Sequence, residues 1–436
     1  MKSVLITAAA SGSGKTTLTM GILRAMRNVG LDICAFKTGP DYIDRAFLEK
    51  ACKVRAGNLD MHLQGKEGLL SAFSMAAADY CVVEGAMGYF DGIYNTHVNS
   101  SYDISRKLGI NSILVYTPKG EMFSAIPKIK GMAEFEASNI KAVIFNNISG
   151  KYYQMLKEAV EKYTKLKVLG YLPGMKEVEL KSRHLGLVQS IELEDIDSRI
   201  EEIAKLARVN IDLNGIMELM EDVKIIRKTA IGKHDVKVAI AKDKAFSFYY
   251  NENLSLLEEA CEVTYFSPLE DDGLPQCDLL YLGGGYPEVF KEELAKNKAM
   301  LGSIKEYSQK GGYIYAECGG FMYLTDCIDG ETMAGVFSGE SRLTETLQNF
   351  GYIDIELKND CMLGKKGDKI TAHEFHKSMA DVRDNKIFCI SKTMGNDSWE
   401  GGHIHKNAYG GYPHISFIGN RHVLENILNS IERNRR

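Results

Sequence analysis

The chain has 436 residues, which is more than a single small module and enough for about two or three domains. Hydrophobic residues make up 45% and charged residues 25%, a composition typical of packed globular protein rather than of disordered chain. The formal net charge of −5 offers no broad attraction for nucleic acid or for an anionic membrane surface. We therefore expect a folded protein without a polyanionic partner.

The cysteines and the apolar runs bear on the location of the protein. Nine cysteines are an odd number and include no Cys-x-x-Cys pair, so neither a disulfide framework nor a zinc ribbon is expected. The first apolar run is too short for the core of a signal peptide, and no run of about 18 apolar residues predicts a membrane span. These features predict reduced thiols and a cytoplasmic protein with no membrane partner.

Short apolar runs alternate with amphipathic stretches through the first half of the chain, the pattern of βα units that build a mainly parallel sheet. Helical spacing of apolar residues is found over 17–28 and 153–163. Strands are predicted over 4–7, 33–37, 80–84, 112–116, 142–146 and 168–172. We assign residues 1–190 to one α/β domain.

The pattern changes near residue 191. Two charged amphipathic helices are predicted over 196–208 and 213–221, and a polar stretch follows over 227–235. Residues 191–235 are therefore predicted to form a helical connector and linker. A second α/β domain is predicted over 236–436, with strands over 236–241, 263–266, 279–282 and 313–316 and a strand-rich tail that includes 351–357.

The strongest local motif is a Gly-rich loop between the first predicted strand and the first helix. Glycines let backbone N–H groups turn toward phosphate oxygens, a lysine adds a cation, and a threonine hydroxyl suits Mg²⁺. The full pattern has Gly at its first position, where this chain has Ala9. We predict a phosphate-binding loop rather than a structural turn, formed by Gly12, Ser13, Gly14, Lys15, Thr16 and Thr17.

Acidic residues follow two other predicted strands of the first domain, at the sheet edge where parallel sheets bind ligands. Glu84 ends one of these strands, and Asp41 lies just after the other. Asp44 and Asp91 lie in the same two loops. A single acid at such a place is more often a helix cap or turn residue, but two Gly-bracketed acidic loops favour a metal site.

In the second domain, Cys318 lies at a predicted strand-to-helix turn among small residues. Such a turn exposes a nucleophile and leaves backbone N–H groups free to stabilise an oxyanion. Gly319 is one candidate donor, and the loop that contains Gly284 and Gly285 offers the other. The thiol needs a base, and His414 is preferred over His373, His376, His403 and His405. A metal site at the histidines is a weaker alternative, because HEFH lacks the spacing of HExxH.

These motifs, in this order, resemble those of the cobyrinate a,c-diamide synthase family, whose glutaminase domain is of the cobyric acid synthase type. The resemblance implies an N-terminal P-loop NTPase-like parallel sheet, similar to dethiobiotin synthetase, and a C-terminal class I glutamine-amidotransferase-like α/β domain. The matching segments span nearly the whole chain: SGSGKTT, KTGPDYID, NLD at 58–60, EGAMGYFDG, LGYLP, RHLGL at 183–187, GGGYPE, AECGGFMYL, HEFHKS and the segment around His414.

The resemblance implies a ligase of cobalamin biosynthesis that uses ATP, Mg²⁺ and glutamine to amidate the a and c acetate groups of cobyrinate. Cys318 would attack the glutamine amide, and His414 would activate its thiol. Residues 12–17 would hold ATP, and the ammonia would attack an acyl phosphate. Mg²⁺ would be bound by Thr16, Asp41 and Glu84. The tetrapyrrole would lie against the loops that contain Tyr42, Asp44 and Asp91.

Ser416 stands where many amidotransferases have a glutamate two residues after the catalytic histidine; this suits the cobyric acid synthase type, in which that acid is missing, and leaves the orientation of His414 unexplained. The chain departs from the family pattern at Thr117, which stands in place of an aspartate, and at Phe123, which stands in place of an arginine. The substrate therefore stays open between cobyrinate, nickel sirohydrochlorin and hydrogenobyrinate, and the oligomeric state is also open.

Two further classes of protein remain as alternatives. A ParA-like nucleotide switch would leave Cys318 unexplained and would have an early lysine where this chain has Ala10 and Ser11. A binding protein with an inactive glutaminase half is the other.

Overall fold

The computed structural model describes residues 1–175, 182–183, 186–187, 189–193, 195–224 and 231–435, with the backbone alone at 182–183 and 186–187. Two compact units are distinguished, Met1–Met61 with Gly65–Arg227 and His62–Gln64 with Lys228–Arg436. The motif at 183–187 and the polar stretch that begins at residue 227 lie partly outside the described residues. No helix among the described residues is long and apolar enough to cross a membrane.

The first unit is built around a parallel sheet. Its strands are β1 (Lys2–Ala8), β2 (Ile33–Thr38), β3 (Gly57–Leu59), β4 (Tyr80–Glu84), β5 (Ser112–Tyr116), β6 (Ile140–Asn146), β7 (Lys167–Leu172), β8 (Ser182–Arg183), β9 (Gly186–Leu187) and β10 (Glu221–Asp222). Its helices are α1 (Lys15–Asn28), α2 (Ile43–Cys52), α3 (Met61–Met75, interrupted at Gly65), α4 (Ser101–Leu108), α5 (Ala125–Glu134), α6 (Gly150–Tyr163), α7 (Ile196–Asn210) and α8 (Leu213–Glu218).

Seven strands of this sheet lie in the order β3-β2-β4-β1-β5-β6-β7, and every neighbouring pair is parallel. The six strands predicted for this half are confirmed within two residues at each end. The short strand β3 had no strong sequence signal because it has only three residues. In a parallel sheet all carboxyl ends lie at one edge, so the loops that follow β1, β2 and β4 meet there.

The helices predicted to form a connector belong to the hydrophobic core of the first unit. Helix α7 packs along α1, and Arg24 of α1 is fully buried between them. The Arg24 guanidinium lies 2.6 Å from carboxylate oxygens of both Asp197 and Glu201. The helix predicted over 213–221 ends at Glu218, because Glu221 instead pairs with Ser3 at the start of β1.

The second unit combines parallel and antiparallel strands. Its strands are β11 (Lys237–Ala241), β12 (Phe246–Phe248), β13 (Glu262–Phe266), β14 (Leu279–Leu282), β15 (Gly284–Gly285), β16 (Tyr313–Glu317), β17 (Cys327–Ile328), β18 (Glu331–Thr332), β19 (Gly339–Leu357), β20 (Lys369–Val382), β21 (Asn385–Lys392), β22 (Ser398–His405), β23 (Ala408–Gly411) and β24 (His414–Ile415). Its helices are α9 (Asn251–Ala260), α10 (Lys291–Lys296), α11 (Lys298–Gln309), α12 (Gly319–Tyr323) and α13 (Arg421–Asn434).

The parallel part of this sheet has the order β13-β11-β14-β16-β23, and β22, β21 and β19 extend it with antiparallel pairing. The four predicted strands of this α/β series are confirmed, and the predicted strand 351–357 is the second part of the long β19. Strand β16 ends at Glu317, so Cys318 is the first residue beyond the carboxyl end of a central parallel strand. This is the edge at which open α/β sheets bind ligands.

Candidate active sites

The Gly-rich loop of the first unit adopts a conformation that depends on glycine. Gly12 and Gly14 have φ angles of 71° and 75°, in the left-handed region that side chains disfavour. A Cβ atom on Gly14 would also lie 2.2 Å from Asn146 Nδ2. Helix α1 begins at Lys15, and no side chain caps its N-terminus. The first N–H groups of a 14-residue helix therefore face the loop, as an anion site requires.

Two residues at the ends of neighbouring strands hold this loop. Thr117 donates its hydroxyl proton to the Ser13 carbonyl over 2.9 Å. Asn146 Nδ2 donates to the same carbonyl over 3.3 Å. Thr117 is one of the departures from the family pattern, and its hydroxyl takes part in fixing the loop backbone.

Lys15 links the loop to the segment that follows β4. Its Nζ atom donates to the carbonyl of Met87 over 2.6 Å and to that of Ala10 over 3.2 Å. Burial of the ammonium, together with repulsion by Lys37, lowers the pKa of Lys15 to about 8. Asp91 is exposed in the same segment, and its carboxylate accepts the N–H of Gly88 over 2.8 Å.

Thr16 is where the predicted phosphate loop meets the acidic residues. Its Oγ1 atom lies 2.7 Å from Glu84 Oε1 and 3.2 Å from Asp44 Oδ2. Glu84 is fully buried, which raises the pKa of its carboxyl, and Glu84 Oε2 has no hydrogen-bond partner among the described residues. A buried carboxylate oxygen without a donor suits a cation, since an unpaired one is costly to bury.

Lys37 is a functional candidate that sequence reasoning missed. Its Nζ atom lies 2.7 Å from Glu84 Oε1, 2.8 Å from Asp44 Oδ2 and 3.8 Å from Asp41 Oδ2. Burial disfavours the carboxylate of Asp44, yet the ammonium of Lys37 holds the pKa of that group below its ordinary value. The sequence feature that could have indicated Lys37 was its position near the end of a predicted strand, and all six residues of that strand are buried in the structure.

Asp41 differs from Asp44 in its role. Asp41 Oδ1 accepts the N–H groups of Ile43 and Asp44, over 3.1 Å and 2.9 Å, which caps the start of α2. Burial and the neighbouring Asp44 raise the pKa of Asp41 to about 7. Asp44, predicted to face the tetrapyrrole, is therefore the acid of this loop that lies beside Thr16. Tyr42, between them, is buried.

The described residues contain no group of three or more His, Cys, Asp or Glu side chains arranged to hold a metal ion. Mg²⁺ needs fewer protein ligands than that, because it is bound through one or two carboxylates, waters and substrate phosphates. Thr16, Glu84 and Asp44 fit this requirement, with hard oxygen ligands beside the start of α1.

The second unit presents Cys318 on a sharp turn between β16 and α12. Its φ of 48° and ψ of −106° are unusual for a residue with a side chain and are the strained geometry of a nucleophile elbow. A backbone hydrogen bond anchors the turn: the Cys318 N–H donates to the Gly411 carbonyl over 2.7 Å. Burial, followed by the charge of Glu288, raises the pKa of the Cys318 thiol. The thiol is therefore neutral at rest and requires a base.

The predicted oxyanion glycines lie together around this turn. The N–H of Gly320 donates to the Gly283 carbonyl over 2.9 Å, and a Cβ atom on Gly319 would lie 3.1 Å from the Gly285 nitrogen. A Cβ atom on Gly284 would lie 2.5 Å from His414 Cε1. The three glycines and the preferred histidine are thus brought to one place, where any side chain on the glycines would fill the space.

His414 has an acidic neighbour that sequence reasoning missed. Its Nδ1 atom lies 3.7 Å from Oε2 of Glu317, the residue just before Cys318, and both side chains are 2% exposed. The available signal was an acid at the last position of a buried strand, next to the nucleophile. Ser416, the position where many amidotransferases have glutamate, is buried, and its Oγ has no hydrogen-bond partner among the described residues.

The other candidate histidines have their own surroundings. His373 lies opposite His414 in the pairing of β20 with β24, and burial together with His414 lowers its pKa to about 3. His376 stacks on Tyr412 and lies 3.3 Å from Glu374 Oε2. Both His403 and His405 bind oxygens of Asp384.

Comparison with known proteins gives two family matches. Residues 4–188 match the CobQ/CobB/MinD/ParA nucleotide binding domain, and residues 237–422 match the CobB/CobQ-like glutamine amidotransferase domain. The first match contains the Gly-rich loop with Thr16 and Glu84, and the second contains Cys318 and His414.

Several full-length relatives carry the same name. A protein from Clostridium tetani, "Cobyrinate a,c-diamide synthase", is 43% identical over 98% of this chain and 100% of its own length. Proteins of the same name from Clostridium acetobutylicum and Limosilactobacillus reuteri are 42% and 38% identical, over 98% and 99% of this chain and 100% and 99% of their own lengths. With a nucleotide-binding unit and a glutamine amidotransferase unit in this order, the chain belongs to the cobyrinate a,c-diamide synthase family.

Proposed function

We propose that this chain catalyses the ATP- and glutamine-dependent amidation of the a and c acetate carboxylates of cobyrinate, giving cobyrinate a,c-diamide. One observation carries the proposal: a single chain holds both a phosphate loop beside buried carboxylates and a cysteine elbow beside a histidine. This pair of sites matches the chemical need. A carboxylate does not accept ammonia at neutral pH, so its oxygen must first become a leaving group.

The first unit would supply that activation by transferring the γ-phosphoryl group of ATP to the carboxylate oxygen, which gives an acyl phosphate and releases ADP. The N–H groups of residues 12–17 would hold the triphosphate, and the Lys15 ammonium would lie against its charge. Thr16, Glu84 and Asp44 would hold Mg²⁺, with Asp41 as the alternative acid. The ion, when bound, would neutralise charge that develops on the phosphoryl group. The protein's part is positioning and charge neutralisation, which is most of what phosphoryl transfer requires.

The second unit would supply ammonia. His414 would take the proton of the Cys318 thiol, and the sulfur would attack the amide carbon of glutamine to form a glutamyl thioester. The N–H groups of Gly319 and Gly285 would stabilise the oxyanion, with Gly284 leaving room for the histidine ring. The proton returns to the leaving nitrogen as ammonia departs, and water then releases glutamate. The ammonia would attack the acyl phosphate and displace phosphate.

The loops that contain Tyr42, Asp44 and Asp91 would position the tetrapyrrole carboxylates. Support comes from their place at the carboxyl edge of the sheet, on the segments that also carry the metal candidates. Asp44 is itself anionic, so a ring acetate would approach this loop with the charge of Asp44 neutralised by Lys37 or by the ion.

The test is turnover with defined rings. Purified protein with ATP, Mg²⁺ and glutamine is incubated in parallel with cobyrinate, hydrogenobyrinate and nickel sirohydrochlorin, and product mass is followed. We expect two carboxylate-to-amide changes with cobyrinate. Diamide formation with only one of the other rings would reassign the substrate. No change with any ring, in a protein that binds ATP, would favour a nucleotide switch, and glutamine left intact while ammonia is used would indicate an inactive glutaminase half.

A further inference from the structure

We infer that Glu317, the residue just before the nucleophile, is the acid that orients His414 in the glutaminase site. The inference rests on the proposed function, because it assigns a positioning residue to the proposed Cys318 and His414 pair. A base that accepts a thiol proton at Nε2 must carry its own proton at Nδ1, and a neighbouring acceptor is what fixes that tautomer. Glu317 Oε2 lies 3.7 Å from His414 Nδ1.

The carboxylate of Glu317 is held in place by three donors. Tyr315 donates its hydroxyl to Oε1 over 2.6 Å, the backbone N–H of Ile415 donates to Oε1 over 3.0 Å, and Tyr281 donates to Oε2 over 3.2 Å. The Ile415 contact ties the acid to the residue that directly follows His414. The carboxylate and the imidazole therefore have a fixed relation, which a loose surface acid does not provide.

The charge balance around Glu317 points the same way. The Glu317 side chain is 2% exposed, and among the described residues His414 is the one basic side chain within 4.0 Å of its carboxylate. Neutral hydroxyl and amide donors only partly offset the cost of burying a carboxylate. Formation of an imidazolium at His414 during thiol deprotonation would place a cation beside this carboxylate.

The separation of 3.7 Å is longer than a hydrogen bond. Catalytic hydrogen bonds are often long in a protein without substrate and shorten in the complex. We expect a small rotation of the imidazole to close this distance when the thiol and glutamine engage the opposite nitrogen. Glu317 touches neither glutamine nor the thiol in this account, so it is a positioning residue.

The position that many amidotransferases use for this acid cannot serve here. Ser416 has a short hydroxyl side chain that carries no charge at neutral pH, and its Oγ makes no hydrogen bond among the described residues. The acid nearest the imidazole in this chain is therefore Glu317, on the strand before the cysteine, rather than a residue that follows the histidine. Ser416→Ala is therefore a matched control for Glu317→Gln.

The test uses the full chain with ATP, Mg²⁺ and ring substrate, and compares glutamine with ammonium chloride as nitrogen source. In Glu317→Gln, which keeps the size and an acceptor oxygen, we expect kcat with glutamine to fall about 100-fold. The KM for glutamine should change less than about threefold and ammonia-dependent turnover should match the parent. The kcat of Glu317→Asp with glutamine should be at least about tenfold higher than that of Glu317→Gln. The kcat of Ser416→Ala should equal that of the parent.

Parental glutamine turnover in Glu317→Gln would overturn the assignment. So would an equal loss with both nitrogen sources, which indicates a structural role. A parent that uses ammonia but never glutamine would instead contradict the proposed glutaminase. Nitrogen-15 NMR of labelled histidine in the parent, with His414→Gln to assign the signal, needs no Glu317 variant. We expect His414 with its proton on Nδ1, and a resting proton on Nε2 would contradict the inference.

Discussion

Lys37 Nζ lies 2.7 Å from Glu84 Oε1 in the interior of the first unit, and neither side chain is more than 2% exposed. This ammonium also contacts Asp44, so it neutralises the acids that we propose as metal ligands. It keeps those acids together when no other cation is present. The acids of the site are therefore held in place before a metal binds. We expect the contacts of Lys37 with these acids to change when a divalent cation binds.

Replacing Lys37 should show how strongly the stability of the first unit depends on its charge. Lys37→Met leaves Asp44 and Glu84 without their shared counter-charge, and removing one partner of a buried ion pair costs about 3–5 kcal/mol. We expect a lower melting temperature, with Mg²⁺ raising it more in the variant than in the parent because the ion takes over the charge. Lys157→Met removes an exposed helix pair and should cost less than about 0.5 kcal/mol. Equal melting temperatures, with no added effect of Mg²⁺, would show that Lys37 does not hold these acids.

Asp41 and Asp44 should differ although they are three residues apart. Asp41→Ala removes the cap of α2 and should lower the free energy of unfolding by about 1 kcal/mol. Asp44→Ala removes an oxygen beside Thr16 and should raise the Mg²⁺ concentration for half-maximal ammonia-dependent turnover at least about tenfold. A Mg²⁺ titration of both variants separates the roles. A larger Mg²⁺ requirement in Asp41→Ala than in Asp44→Ala would return the metal to Asp41.

Lys15 should make nucleotide binding depend on pH. Its pKa of about 8 means that the ammonium loses its proton as the pH rises through that value, and a neutral amine attracts a triphosphate less. Between pH 7 and pH 9 the protonated fraction falls about tenfold, and we expect ATP affinity, measured by calorimetry, to fall by a similar factor. Asp41 also titrates near pH 7, so a control is needed. Lys15→Arg keeps its charge over this range, and any pH dependence of ATP affinity that this variant loses is due to the lysine.

The same lysine tests whether the phosphate loop takes part in amidation. Lys15→Ala should lose turnover with either nitrogen source, because activation of the carboxylate precedes the use of ammonia. Normal turnover in this variant would remove the loop from the mechanism. If the ATP affinity of Lys15→Arg varied with pH as it does in the parent, a group other than Lys15 would be the cause of that pH dependence.

Cys318→Ala should separate the two reactions. The variant lacks the sulfur nucleophile, so glutamine-dependent turnover should be abolished, while amidation with ammonium chloride should continue at the parental rate. The small side chain is compatible with the turn, because Cys318 contributes its backbone N–H to Gly411 and this contact is retained. Loss of both activities in a variant that melts like the parent would contradict separate sites.

The sequence predicted those features that rest on short, continuous patterns. Strand β1 followed by the loop at 12–17 and helix α1, and strand β16 followed by Cys318, are local signals of apolar runs and glycine. The roles of helices α7 and α8 could not be read in this way. The packing of α7 on α1 depends on Arg24 meeting Asp197 and Glu201, residues more than 170 positions away along the chain.

The site residues that sequence reasoning missed are charged groups with distant partners. Lys37 reads as one of many lysines until Glu84 and Asp44 are placed beside it. Glu317 reads as the end of a strand until the chain returns with His414 almost 100 residues later. Their burial is what makes them informative, and burial is set by tertiary packing rather than by local pattern.

Transfer of labelled nitrogen from glutamine to the ring is the most direct test of the proposed amidation. The protein is incubated with cobyrinate, ATP, Mg²⁺ and glutamine labelled with nitrogen-15 in the side-chain amide, and the product is examined by mass spectrometry. We expect a cobyrinate diamide that carries two labelled amides, with no product when ATP is omitted. A product without label, or labelled ammonia released while cobyrinate stays unchanged, would contradict the proposed function.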